Sequence, residues 1–265
     1  AVTLARLGVP VAFVGTIGDD EVGRWIREGL GDEGVDVDGL AVRAGPSPLS
    51  VVLVERGTGA RALAPYPGAS AAIALDDETR RRCAAARWVH LDQRGVRILD
   101  ALRSDGVRTP VSLDGGVDVP DADLGQVDLY VPTEAALLAR FPGSLDASLD
   151  RALAAGPSTV VVTQGATGSS AVQRAPDGGR IGPIHAPAFE LEGSVRSTLG
   201  AGDVFHGALL AGLVDDLPLE LALARANAVA AMSCAALDGR SAIPSRTELE
   251  ASLARASTFG EHHDG

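Results

Sequence analysis

Residues Ser197-Thr198-Leu199-Gly200-Ala201-Gly202-Asp203 run directly into an apolar, helix-patterned stretch, Val204-Phe205-His206-Gly207-Ala208-Leu209-Leu210. A turn of small residues at a helix start lets backbone N–H groups converge. Together with the positive end of the helix dipole, such groups bind an anion. A carboxylate at that spot competes with the anion if it serves only as a cap. It has a use if the anion is a phosphoryl group in transfer. Asp203 then orients the incoming hydroxyl and accepts its proton late in the step, while the amides stabilise charge on the phosphoryl oxygens. On pattern alone, this reading stands level with a plain Gly-rich turn in which Asp203 is an ordinary N-cap.

A second Gly-rich turn, Thr163-Gln164-Gly165-Ala166-Thr167-Gly168, follows a short apolar run. His90, His185 and His206 share no metal-ligand spacing, and His206, three residues after Asp203, reads as a packing or hydrogen-bonding residue. His262 and His263 fall in a polar tail that is expected to be disordered. No G-x-G-x-x-G joins a first strand to its helix, which argues against a dinucleotide-binding dehydrogenase. The chain contains no lysine, which excludes a G-x-x-x-x-G-K-[ST] phosphate loop.

The elements that must position these residues can be read from composition and periodicity. The 265 residues suit one large α/β domain, or one with a small appendage. With 46% hydrophobic and 3% aromatic residues, the core must be built from Ala, Val and Leu. A net charge of −12 argues against a general nucleic-acid or anionic-membrane surface. Cys83 and Cys234 lie far apart, with no CxxC spacing, and read as free thiols in a reducing cytoplasm. The longest apolar stretch, Leu217 to Leu237, contains Glu220, Arg225 and Asn227, so it reads as a buried amphipathic helix and not a membrane span.

Strands are expected at Val9 to Gly15, Trp88 to Leu91, Val107 to Leu113, Val127 to Val131 and Thr159 to Thr163. Helices are expected at Glu21 to Gly31, Gly95 to Ser104, Glu134 to Phe141 and Leu145 to Ala155. This alternation predicts an α/β fold with a mostly parallel central sheet and helices on both faces. Val35 to Tyr66 breaks the helical period. Gly39 to Arg43, Ser50 to Glu55 and Arg61 to Ala64, joined by turns such as Arg56-Gly57-Thr58-Gly59, predict a small antiparallel β lid over roughly residues 36–66. Near the C-terminus, Leu217, Leu221, Ala224, Ala228, Ala231 and Ala235 predict one close-packing stripe.

The run from Ser197 to Asp203 closely resembles the C-terminal signature of the PfkB/ribokinase family, D-T-x-G-A-G-D. The resemblance implies Asp203 as catalytic base and Gly200, Ala201 and Gly202 as anion hole. It extends over nearly the whole chain. Ile17-Gly18-Asp19-Asp20-Glu21-Val22-Gly23 with Glu33-Gly34-Val35-Asp36 resembles the early G-D-D-x-x-G…G-V-D segment, which implies that Asp19 and Asp20 build a turn. The Thr163 to Gly168 turn is similar to the family's T-x-G-x-x-G beside the nucleotide. With Ala226-Asn227-Ala228 it implies Thr163, Gly165, Gly168 and Asn227 as ATP-binding residues. Ala242-Ile243-Pro244 resembles part of the closing helices. Trp88 to Arg94 resembles the ketohexokinase branch, where the matching arginine reaches ATP, and this implies Arg94.

The family resemblance thus implies a cytoplasmic, ribokinase-like α/β domain spanning 1–265, using ATP and Mg2+ to phosphorylate a hydroxyl on a sugar or sugar-like small molecule, with a homodimer through the lid. Three departures qualify this. Ser197 replaces the Asp that often helps hold a monovalent cation, which puts potassium activation in doubt. The N-x-x-E motif that organises magnesium aligns with Thr133 and Ala136, leaving Glu134 as a candidate substitute and equally as a dipole-favoured first-turn acid. The family's first strand and its Gly-Gly-x-x-x-Asn sugar motif would precede Ala1, so an exposed sheet position and an incomplete sugar pocket are expected. The alternative is a kinase-fold regulatory protein that binds a sugar or nucleoside without phosphorylating it.

Overall fold

A computed structural model describes residues 1–55, 61–68, 72–116, 119, 122–191 and 193–260; the Arg56 to Gly59 turn and the tail histidines lie outside these. In chain order the first elements are α1 (Val2–Arg6), β1 (Gly15–Gly18), α2 (Glu21–Asp32), β2 (Leu40–Arg43), β3 (Leu49–Val54), β4 (Arg61–Tyr66), α3 (Asp77–Ala85), β5 (Val89–Leu91), α4 (Leu99–Ser104) and β6 (Val111–Asp114). They continue with β7 (Leu129–Val131), α5 (Glu134–Arg140), α6 (Leu145–Ala154), β8 (Thr159–Thr163), β9 (Ser169–Arg174), β10 (Arg180–Ala186), α7 (Ala201–Val214), α8 (Leu219–Ser233) and α9 (Arg246–Gly260). The chain divides into two units, one holding Pro10–Ala74 with Ala1, the other Val2–Val9 and Leu75–Gly265.

In the smaller unit, β1 and β2 pair in parallel, with Ile17 opposite Val42. Val9 to Gly15, expected as a strand, runs beside residues 36–39 through single bonds such as Phe13 N–H to Asp36 O at 2.8 Å, but the ladder becomes continuous only at Gly15. Asp20 caps α2, accepting from the Gly23 amide at 2.8 Å and from Ser47 Oγ at 2.6 Å. The Ser47 contacts, followed by the Gly23 amide, hold the Asp20 carboxyl below its ordinary range. Asp19 accepts from the Gly45 amide at 2.8 Å, so both acids of this turn are occupied in building it. Gly18 is required here, because a Cβ would stand 2.2 Å from the Gly45 carbonyl oxygen. β3 and β4 form an antiparallel ladder from Leu49–Tyr66 to Val54–Arg61. Gly39 to Arg43 is not part of an antiparallel arrangement, since β2 pairs in parallel with β1.

The larger unit is built on a six-stranded sheet in the order β10-β9-β8-β7-β6-β5. β5 to β8 are parallel, and β9 and β10 add on antiparallel. Period-two alternation sends neighbouring side chains to opposite faces. Leu129, Val131 and Val161 enter one core with Phe205, Leu209, Ala222, Leu223 and Val229 of α7 and α8. Tyr130, Val160 and Val162 enter the other with Leu99, Leu102, Leu137, Leu149 and Leu153 of α4, α5 and α6. Burying each of these Leu, Val and Phe side chains contributes about 1.5–3 kcal/mol. The β9–β10 pair and α3 were not anticipated from the sequence.

The expected α8 stripe is displaced. Leu221, Ala224 and Ala235 are exposed; Ala228 is buried as expected, but the rest of the buried face runs through Leu219, Ala222, Leu223, Ala226, Val229 and Ser233. Ala222 packs so closely on α7 that a Cβ at Gly212 would come within 2.9 Å of it. Cys83 and Cys234 are free and buried. Among the described residues no helix is long and apolar enough to cross a membrane.

Candidate active site

In a sheet of this kind, ligands bind beyond the carboxyl ends of the parallel strands. In the larger unit those ends deliver Asp92 after β5, Asp114 at the end of β6, Thr133 and Glu134 after β7, and Thr163 at the end of β8. The helix start predicted to carry chemistry belongs to the same unit.

α7 begins at Gly200, whose φ of 75° is a left-handed cap conformation with no side-chain capping bond. The two readings of Asp203 therefore separate. The cap position belongs to Gly200, and Asp203 stands in the first helical turn, open to solvent. Local bonds shape the approach: Leu199 N–H donates to Ser197 Oγ at 3.1 Å, Ala201 N–H to Thr198 O at 3.3 Å, and Val204 N–H to Gly200 O at 2.9 Å. Ser197 is thus engaged in holding the turn. A Cβ on Gly200 would lie 3.1 Å from the Gly239 Cα, while a Cβ on Gly202 would meet nothing within 4 Å. The space above Gly202 is open where a first-turn N–H lacks an intrahelical partner.

Asp203 shares this region with groups that sequence spacing did not connect. His206 Nε2 lies 3.2 Å from Asp114 Oδ1, which also accepts from the Gly116 amide at 2.7 Å. The His90 and His206 rings are 5.3 Å apart, and His90 Nδ1 is 3.2 Å from Ser112 Oγ. Although Asp203 is open to solvent, the protein crowded about it raises its carboxyl's pKa by desolvation first, and the Asp114 charge adds to the rise. The hydrogen-bonding role expected for His206 is what the geometry displays. The signal for Asp114 was available as an acid closing a buried run, Val111-Ser112-Leu113-Asp114.

The second Gly-rich turn is built by its own backbone. Gly165 and Gly168 have φ of 57° and 100°. A Cβ at Gly168 would stand 2.2 Å from the Ala186 carbonyl oxygen, whereas at Gly165 it would meet nothing within 4 Å. Thr163 is tied to the neighbouring turn by its N–H to Pro132 O at 3.0 Å. Asn227 is buried on α8, and its amide nitrogen donates to Ala186 O at 2.9 Å and Pro187 O at 3.0 Å. Those donors therefore hold the chain leaving β10. Arg94 is exposed, its N–H bonded to Asp92 Oδ1 at 2.9 Å.

The pfkB family carbohydrate kinase profile matches residues 1–246. The chain belongs to the pfkB family of carbohydrate kinases. A fructokinase from Klebsiella pneumoniae is 30% identical, over 96% of this chain and 89% of that protein. An ATP-dependent ribose-1-phosphate kinase from Halopiger xanaduensis is 28% identical, over 91% of this chain and 80% of its own length. The structure of Arabidopsis thaliana ribokinase complexed with ribose and ATP superposes with a TM-score of 0.81 at 25% identity, covering 94% of this chain and 84% of that one.

Against the pfkB pattern, the magnesium motif is the part that does not fit. Thr133 Oγ1 is the N-cap acceptor for the Ala136 amide at 3.2 Å, and Ala136 offers no ligand. Glu134 Oε2 accepts from Gln164 Nε2 at 2.9 Å. Among the described residues no group of three or more His, Cys, Asp or Glu side chains is placed to hold a metal.

Proposed function

We propose that this pfkB-family chain transfers the γ-phosphoryl group of ATP to a hydroxyl of a sugar or sugar-like small molecule. The observation that carries the proposal is Asp203, a solvent-open carboxylate in the first turn of a helix that no side chain caps, its pKa raised first by desolvation and then by the Asp114 charge. Asp203 orients the acceptor hydroxyl and takes its proton as the oxygen–phosphorus bond forms. The turn Gly200-Ala201-Gly202 presents amides to the phosphoryl oxygens, and the open space above Gly202 admits them. ATP lies between the Thr163 to Gly168 turn and α8, its phosphates toward Gly200 to Gly202. Asn227 acts by holding Ala186 and Pro187 at the edge of that site, and Arg94 reaches toward ATP from the turn after β5. Fructose, ribose and ribose 1-phosphate, the acceptors in the relatives' names, form the first panel for a phosphoryl-transfer assay with ATP. No turnover on any sugar, with nucleotide binding intact, would overturn the proposal.

The magnesium positions favour one second reading. With Thr133 and Ala136 in place of the family's amide and acid, and Glu134 engaged by Gln164, a protein that binds a sugar or nucleoside without phosphorylating it is also consistent. The same assay separates the two. We further propose a homodimer through β3 and β4, which expose Leu49, Val51, Leu53, Val54, Leu63 and Tyr66. The free cysteines suit a reducing, cytoplasmic setting.

A further inference from the structure

Gln164 occupies the variable position of the T-x-G turn, yet every polar group it has is engaged. Its N–H donates to Gly168 O at 2.8 Å, and its carbonyl accepts from the Thr167 N–H at 3.2 Å and from Thr167 Oγ1 at 2.8 Å. Side-chain Nε2 donates to Glu134 Oε2 at 2.9 Å, and Oε1 accepts from Ser170 Oγ at 2.7 Å. Ser170 Oγ in turn lies 3.0 Å from His185 Nδ1.

Donor accounting fixes the direction of this chain. An ionised carboxylate only accepts, so Gln164 must turn its NH2 toward Glu134, and its oxygen then faces Ser170. The reversed amide would set two acceptors against each other. Ser170 has one hydroxyl hydrogen, which goes to Gln164 Oε1. His185 Nδ1 must therefore carry the hydrogen that reaches Ser170. The sequence His185 to Ser170 to Gln164 to Glu134 has one sense and ends on an anion, so successive bonds polarise one another. It ties β10, β9 and the start of α5 to the turn. Beside it, the isolated parallel bridge of Thr133 and Thr163 joins the same two turns through the backbone.

We propose that Gln164 is a positioning residue for ATP: clamped between Glu134 and Ser170, its side chain fixes the Thr163 to Gly168 turn on which the nucleotide rests. The inference deepens the proposed function and rests on ATP binding at that turn. It also gives Glu134 a task other than metal binding.

The test is an exchange of partners, read as affinity for a non-hydrolysable ATP analogue by calorimetry, with KM for ATP and kcat measured in parallel. Gln164→Glu opposes two carboxylates and should weaken nucleotide binding roughly tenfold, as expected when a hydrogen bond to a charged group is lost. The change should appear in KM for ATP, with kcat at saturating ATP close to wild type. Glu134→Gln alone should be mild, because the new amide oxygen can still accept from Gln164. The double variant Glu134→Gln/Gln164→Glu restores a donor facing a carboxylate, and that carboxylate still accepts from Ser170, so affinity should return toward wild type. Gln164→Ala gives the same comparison if Gln164→Glu fails to fold by circular dichroism. Wild-type affinity in the single Gln164 variants, or a double variant no better than Gln164→Glu, overturns the inference alone. A wild-type protein that binds no nucleotide overturns the placement of ATP and the inference with it.

Discussion

His206 Nε2 and Asp114 Oδ1 stand 3.2 Å apart. Desolvation works to raise the Asp114 pKa, but the His206 hydrogen bond and charge, with the Gly116 amide, outweigh it and hold this carboxyl below its ordinary range. Asp114 therefore stays ionised. Its charge, after desolvation, raises the pKa of Asp203, as does Asp92, while His206 opposes them. A general base works deprotonated, so activity falls as pH drops through its pKa. The acid limb of kcat/KM should lie above the ordinary aspartate value of about 3.9. Asp114→Asn removes one raising influence, so the limb should move to lower pH. A pH profile that does not move, or moves upward, would show that this charge does not reach the base.

Asn227 is buried with both amide hydrogens committed to Ala186 and Pro187 carbonyls. Asn227→Ala leaves those carbonyls without their donor, at a cost of about 1–3 kcal/mol for a buried orphaned group. For a chain of this size the melting temperature should fall by roughly 2–4 °C per kcal/mol. Because the same carbonyls border the proposed nucleotide site, ATP affinity should fall as well. A melting temperature equal to wild type would show that the two bonds contribute little.

The sequence disclosed some of these features and hid others for physical reasons. Parallel strands buried on both faces read as short apolar runs, so Thr159 to Thr163 was legible to the residue and the sheet followed from the alternation. The run at Val9 to Gly15 is as apolar, yet its pairing is interrupted until Gly15, and apolarity cannot report pairing. The stripe on α8 was misplaced because alanine fits a close interface or a solvated one, so its spacing carries little information. The β9–β10 pair hid behind Ser169, Ser170, Gln173 and Pro183, which do not read as strand residues. The turn from Gly200 to Asp203, the proposed site, stands out in the sequence because its residues are local in the chain. Asp114, Gln164 and the His90–His206 pair do not, since each depends on a partner at least 30 residues away, from Gln164–Glu134 at 30 onward.

β3 and β4 form a two-stranded ladder, and such a sheet is marginal in water unless one face is covered. Leu49, Val51 and Leu53 alternate onto one face, opposite Tyr66, Ala64 and Ala62. If a second copy covers that face, Leu53→Glu sets a charge in the interface and should shift the protein from dimer to monomer in sedimentation velocity. The Asp203 turn is untouched in sequence, so the variant reports on assembly. A wild-type protein that sediments as a monomer at assay concentrations would end the dimer proposal.

Asp203→Asn and Gly202→Ala should separate base from cradle. Asparagine keeps the size of aspartate and one acceptor oxygen but cannot accept the hydroxyl proton. Turnover should fall by about 10²–10⁴-fold with ATP affinity nearly unchanged. At Gly202 a Cβ meets no protein atom within 4 Å, so Gly202→Ala should leave the melting temperature essentially as it is. If the phosphoryl oxygens approach the backbone there as proposed, the added methyl stands in their way, and phosphate affinity and rate should fall together. Gly200→Ala serves as the contrast, because φ is 75° and the Gly239 Cα lies 3.1 Å from the new Cβ. That variant should lose stability whether or not any anion binds. If Gly202→Ala bound ATP and turned over like wild type, the amides would not be the cradle. If Asp203→Asn kept more than about a tenth of wild-type kcat, a fall smaller than general-base catalysis accounts for, Asp203 would not be the base, and the non-phosphorylating binder would become the better reading.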